Sequence, residues 1–149
     1  MAAEDAVLLD TNAYSALFVT REERALRQGH PLAAWRVALR GRRVVIAFQT
    51  RAELLIGARS AKWGRRTMER LVERLGSTPT IQLTDDVLEA YVALTAEARD
   101  RGLGIGGKSH VADRWIAACA IAKSLPLLSG DGIFRNAPSL TLLEVPEDL

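Results

Sequence analysis

Four acids of this 149-residue chain stand next to apolar runs where a folded sheet would gather them. Asp10 directly follows Ala6–Leu9, Glu53 comes shortly after Val44–Phe48, and Asp131 follows Pro126–Leu128. Asp113 lies in the first turns of an apolar segment that leads into that last run. Clustered carboxylates raise one another's pKa unless a cation neutralises them. Their hard oxygens select Mg²⁺, with Mn²⁺ as a substitute, and Mg²⁺ takes a few carboxylates plus water and substrate phosphate. Such an ion polarises a phosphodiester, lowers the pKa of water and stabilises a departing oxygen. No set has zinc spacing, because His30 and His110 stand alone and Cys119 is the single cysteine.

Each acid also has a plainer reading. Aspartate after a strand is commonly a helix cap, which covers Asp10 and Asp131. Glu53 could pair with an arginine, but Arg51 is two residues away and cannot face it on a helix; Arg114 is likewise out of reach of Asp113. Asp113 shares its face with Ile116, Ala117 and Ala120, where an unpaired carboxylate is costly. The joint placement of the four outweighs any one of them.

The elements that must position them follow from periodicity. Ala6–Leu9, Val44–Phe48, Thr80–Leu83 and Pro126–Leu128 read as buried strands, with Leu140–Val145 as an edge strand. Between them, Arg21–Arg40 is helical with a break at Gly29-His30-Pro31. Gln49–Arg59, the basic amphipathic Trp63–Leu75, Asp85–Arg101 and a helix capped by Ser109 and reaching Lys123 complete the set. Strands alternating with helices predict a parallel sheet covered on both faces. The expected fold is a single three-layer α/β/α domain over residues 1–149, with a mainly parallel sheet of four or five strands. In such a sheet ligands bind beyond the carboxyl ends of the strands, where the four acids can meet.

Charge is divided unevenly. Residues 21–74 hold 14 Lys or Arg against 5 Asp or Glu, whereas residues 75–149 hold 6 against 10. Seventeen of the twenty bases are Arg, whose planar fork grips phosphate. A GC-rich coding sequence also inflates Arg, but a basic half beside metal-holding acids suits a polyanion. No apolar run is long enough to cross a bilayer, and Met1-Ala2-Ala3-Glu4-Asp5 lacks the basic start of a signal peptide. With Cys119 reading as a small buried hydrophobe, a reducing cytoplasm is the expected location.

Taken together, Leu8-Leu9-Asp10-Thr11-Asn12, Arg51-Ala52-Glu53-Leu54, Ala112-Asp113-Arg114-Trp115-Ile116-Ala117-Ala118 and Ser129-Gly130-Asp131-Gly132-Ile133-Phe134 resemble the PIN-domain ribonucleases. The resemblance spans nearly the whole chain and is nearest to the VapC-type toxins of bacterial toxin–antitoxin pairs. It implies Mg²⁺- or Mn²⁺-dependent cleavage of single-stranded RNA, with Asp10, Glu53 and Asp113 as the core ligands and Asp131 as the fourth acid. It implies that Thr11 or Asn12 orients Asp10 or the phosphate, and that Ser129 stands where many relatives carry Thr. It further implies a homodimer and inhibition by a small antitoxin protein laid across the active-site groove.

Competing readings come from other residues. Gly102-Leu103-Gly104-Ile105-Gly106-Gly107-Lys108-Ser109 matches a phosphate-cradling P-loop at every fixed position. That motif requires a strand before it, whereas Asp85–Arg101 reads as a helix, so a flexible glycine connection fits better; Lys108 could still touch RNA. A dehalogenase-like phosphatase needs a second acid where Asn12 stands. A non-enzymatic interaction domain would make the arginines a binding face and the acids caps. Trp35, Trp63 and Trp115 read as packing residues rather than base-stacking ones. His110 reads as a capping or surface residue, with a general base as the sharper alternative.

Overall fold

The computed structural model describes residues 5–147. All but Asp5 of the N-terminal stretch read against a signal peptide therefore lies outside the described residues.

Four strands form one parallel sheet in the order β3-β2-β1-β4: β1 (Ala6–Leu9), β2 (Arg43–Ala47), β3 (Thr80–Ile81) and β4 (Leu127–Leu128). β1 pairs with β2 from Ala6↔Arg43 to Leu9↔Ile46 and with β4 through Leu8↔Leu127 and Leu9↔Leu128. β1 is buried throughout, as a central parallel strand covered on both faces must be. Strand alternation divides the core in two. Ala6, Leu8, Val45, Ala47 and Leu127 face one cluster; Val7, Leu9, Ile46 and Leu128 face the other.

The first cluster is covered by α6 (Asp85–Asp100) and α7 (Val111–Ala122), through Val87, Leu94, Ala98, Ile116 and Ala120. The second is covered by α1 (Thr11–Tyr14), α2 (Glu22–Arg27), α3 (Leu32–Ala38), α4 (Phe48–Ser60) and α5 (Arg65–Gly76). α1 runs on into a wider π-turn over Ser15–Val19. α5 shows its amphipathic design directly: Leu71 and Leu75 are buried while Arg65, Arg66, Arg70 and Arg74 are exposed. The three-layer α/β/α expectation is met.

Some local expectations are not. Leu140–Val145 makes only a single parallel bridge, Leu127↔Leu142, so the fifth strand is absent among the described residues. Ser109 does not cap α7; a short 3-10 turn, Lys108–His110, intervenes and His110 takes the cap position without a side-chain bond. The glycine-rich segment follows α6 directly, with Leu103 amide bonded back to Ala98 carbonyl, so the strand that a P-loop requires is missing.

Candidate carboxylate site

β1 and β4 are neighbours, and their carboxyl ends bring Asp10 and Asp131 to the same edge of the sheet. The Asp10 amide extends the ladder by donating to Leu128 carbonyl, 3.1 Å. Asp10 then caps α1, its Oδ1 accepting from the Ala13 amide at 2.8 Å. Its Oδ2 accepts from the Ser129 hydroxyl. The Ser129 oxygen in turn accepts from the Asp131 amide at 3.0 Å, and Asp131 Oδ1 accepts from the Ile133 amide at 3.0 Å. One serine thus ties the two acidic turns together. The capping reading was correct for both aspartates, and it does not compete with a site: each cap uses one carboxylate oxygen.

Asp10 is 4% exposed. Burial pushes its carboxyl above the ordinary range, and the nearby charges of Asp131 and Asp113 push it further, while the bonds from Ser129 and Ala13 pull it down. The sheet edge therefore brings Asp113 and Asp131 within electrostatic reach of Asp10. Asp113, in the first turn of α7, bonds through Oδ2 to His110 Nδ1 at 2.9 Å.

Glu53 lies in the second turn of α4, accepts from Gln49 Nε2 at 3.0 Å, and faces a cleft shared with Ser15, Arg24 and Trp63. Thr11 bonds the buried Thr50 hydroxyl at 3.0 Å and so fixes α1 against α4. Asn12 is exposed and borders the cleft that also holds Asp131.

The donor set is all oxygen and anionic, which suits a hard divalent cation. Among the described residues no three acids, imidazoles or thiols stand close enough together to hold one ion as they are. Bare carboxylates repel, and an ion that keeps most of its waters needs only one or two of them directly, so the residues fit such an ion. Asp10, Asp113 and Asp131 are the acids that would share in holding it, directly or through its waters.

Arg114 escaped the sequence reading. It is 2% exposed, points away from Asp113, and donates to the carbonyls of Ile105 at 2.8 Å and Gly107 at 2.6 Å and to the Tyr91 hydroxyl at 3.0 Å. The glycine-rich loop thus turns carbonyls onto a guanidinium, the opposite polarity from a phosphate cradle. An arginine in an otherwise apolar helix was the available signal. The tryptophans divide: Trp35 is buried, Trp115 stacks on Tyr91 at 3.9 Å, and Trp63 is 38% exposed. Cys119 is buried as expected, and burial pushes its thiol up to about 12.

Comparison with curated proteins returns no significant match. Among solved structures, VapBC2 from Rickettsia felis bound to a promoter DNA fragment is 22% identical, with TM-score 0.68 over 95% of this chain and 99% of that one. VapBC-5 from Mycobacterium tuberculosis, a member of a toxin–antitoxin family, is 22% identical, with TM-score 0.60 over 95% and 99%. VapBC-1 from nontypeable Haemophilus influenzae is 21% identical, with TM-score 0.68 over 92% and 96%. At these identities the likeness is one of fold. Residues 7–140 match the PIN domain, so the chain belongs to the PIN-domain family.

Proposed function

We propose that this chain is a Mg²⁺-dependent endoribonuclease, with Mn²⁺ as a substitute, that cuts single-stranded RNA as the toxin of a toxin–antitoxin pair. PIN domains are nucleases that generally use divalent ions. The observation that carries the reading here is the buried Asp10 at the carboxyl edge of a parallel sheet, with the charges of Asp131 and Asp113 acting on it. Such an arrangement concentrates negative charge where only a cation relieves it.

Asp10, Asp113 and Asp131 would hold a divalent ion whose chemistry would be to activate water and offset charge on a departing oxygen. The protein's own groups do the rest. Ser129 and the Ala13 amide hold Asp10 in one orientation. His110 holds Asp113, and an imidazole bonded to a metal-ligating carboxylate fixes it in turn. Asn12 and Glu53 line the approach, where Asn12 would orient the phosphate. Asp10, Glu53, Asp113 and Asp131 are the catalytic set, and Thr11, Asn12 and Ser129 position them and the substrate.

Two partners complete the proposal, which treats residues 1–149 as one domain acting in the cytoplasm. A small antitoxin covers the active-site groove; structural neighbours include a toxin–antitoxin complex and a member of the VapBC family of toxin–antitoxin systems. A second copy covers α6, where Leu88 and Val92 are 46% and 58% exposed one helical turn apart. Light scattering should give a dimer that Val92→Asp converts to a monomer. No helix among the described residues is long and apolar enough to cross a membrane.

The test is cleavage of matched single-stranded RNA, duplex RNA and single-stranded DNA with Mg²⁺, with Mn²⁺ and with EDTA. Cutting of the first alone, abolished by EDTA, supports the reading. A folded, antitoxin-free protein that cuts none of them with either metal overturns it.

A further inference from the structure

Four cavities along one side of the molecule share their walls. The first, about 320 Å³, lies between Asp131, Asn12 and His30. The second, about 250 Å³, shares Asn12 and His30 with it and continues past Arg24 to Trp63. The third, about 310 Å³, shares Arg24 and Trp63 and takes Glu53 into its wall. The fourth, about 580 Å³, shares Arg21 and Trp63 and reaches Arg70 and Arg74 on α5. Together they form one groove that starts at Asp131 and turns around Trp63.

Its lining is unusual for a surface cleft. Arg21, Arg24 and Arg70 are exposed, and none of them is in a salt bridge among the described residues. Arg74 lies over the Phe18 ring at 5.9 Å. The acids on the walls are Glu53 and Glu73, with Asp131 at the catalytic end. Unpaired guanidiniums along a groove match a chain of phosphates, which explains why they are left without carboxylate partners.

Trp63 is held rather than loose. Its amide donates to Ala58 carbonyl at 3.1 Å and the Lys62 amide donates to Arg59 carbonyl at 3.0 Å, with Lys62 at φ +56°. That pair of bonds is a helix-terminating Schellman motif, which fixes the residue after the left-handed position. A partly exposed indole on a fixed backbone position, between free arginines, suits a stacking platform with phosphate grips on both sides.

We propose that this groove is the track along which single-stranded RNA reaches the carboxylates, with a base stacked on Trp63 and phosphates held by Arg21, Arg24 and Arg70. The inference rests on the ribonuclease reading and adds the residues that grip the strand. It takes the base-stacking alternative for Trp63, which is 38% exposed.

The test uses Asp10→Asn protein, which leaves the strand intact, and a fluorescent octauridylate whose anisotropy is followed from 50 to 200 mM salt. Trp63→Ala should weaken binding about 10-fold and Trp63→Phe by less than about 3-fold, since one lost stack is worth about 5- to 150-fold. Arg24→Ala with Arg70→Ala should weaken binding and flatten the salt dependence, by about 0.7 in log–log slope for each lost phosphate contact. If Trp63→Ala does not fold, the Phe variant and the arginine slopes decide alone. Unchanged affinity and slope in folded variants overturn the track, as does a Trp63→Ala protein that loses a protein partner but keeps RNA. Should the native chain cut RNA while the groove variants bind and cut equally well, the track fails and the nuclease reading stands. Should the native chain cut nothing while Trp63 still governs octauridylate binding, the nuclease reading fails and the track stands.

Discussion

Asp10 does two things with one carboxylate. Its Oδ1 caps α1 through the Ala13 amide, and its Oδ2 is fixed by Ser129 beside two other acids. Burial raises its folded-state pKa above the ordinary 3.8. The folded chain therefore keeps a proton that the unfolded chain has released, and stability falls as pH rises from about that value through the raised one. Asp10→Asn removes this penalty and keeps an acceptor for Ala13. Thermal melts should show the variant more stable than the native chain at neutral pH, with the gap closing once pH falls below 3.8. Added Mg²⁺ should narrow the gap from the other side by stabilising the native chain alone. Arg114 poses the reverse case, a buried cation whose partners are two carbonyls and a phenol. Arg114→Met would leave those carbonyls unpaired and should cost about 2–4 kcal/mol in denaturant melts, since bonds to charged groups are worth about 1.5–3 kcal/mol each. Of these residues the acids were legible from their types and places. Arg114 was not, because the sequence does not say which way a side chain leaves a helix.

At the scale of elements, the strands β1 and β2 and the helices α4 to α7 were legible because their apolar periods are long and uninterrupted. The two-residue strands β3 and β4 were read about one to two residues too long. Apolar character extends beyond the ladder wherever a loop packs on the core, as Leu143 and Val145 do in place of the expected edge strand. The glycine-rich loop shows the limit of motif reading. Its spacing fits a P-loop, but what the loop requires is close approach to α6. A Cβ on Gly106 would stand 3.0 Å from the Arg99 backbone nitrogen, in a buried position. Gly106→Ala should therefore destabilise the fold by about 1–3 kcal/mol, as overpacking does. Gly102→Ala meets no atom within 4 Å but sits at φ +67°, so it is penalised by backbone strain alone and should cost less. Comparing the two melts separates a packing glycine from a conformational one.

For the whole molecule, the basic segment 21–74 and the acidic sheet edge meet along one groove. The charge asymmetry was visible in the sequence, but the path was not. It depends on Arg21 and Arg24 from one helix, Arg70 from another and Trp63 from the turn between α4 and α5 sharing a surface. Glu53, expected to join the other three acids, looks into that groove beside Trp63. The most direct test of the account is the cleavage rate of single-stranded RNA by the native chain and by Asp113→Asn, each titrated with Mn²⁺ and checked for folding. The account predicts metal-dependent cutting by the native chain and a loss of at least about 100-fold in the folded variant, as removal of a metal-site carboxylate or its support costs. Equal, metal-independent rates in both would contradict it.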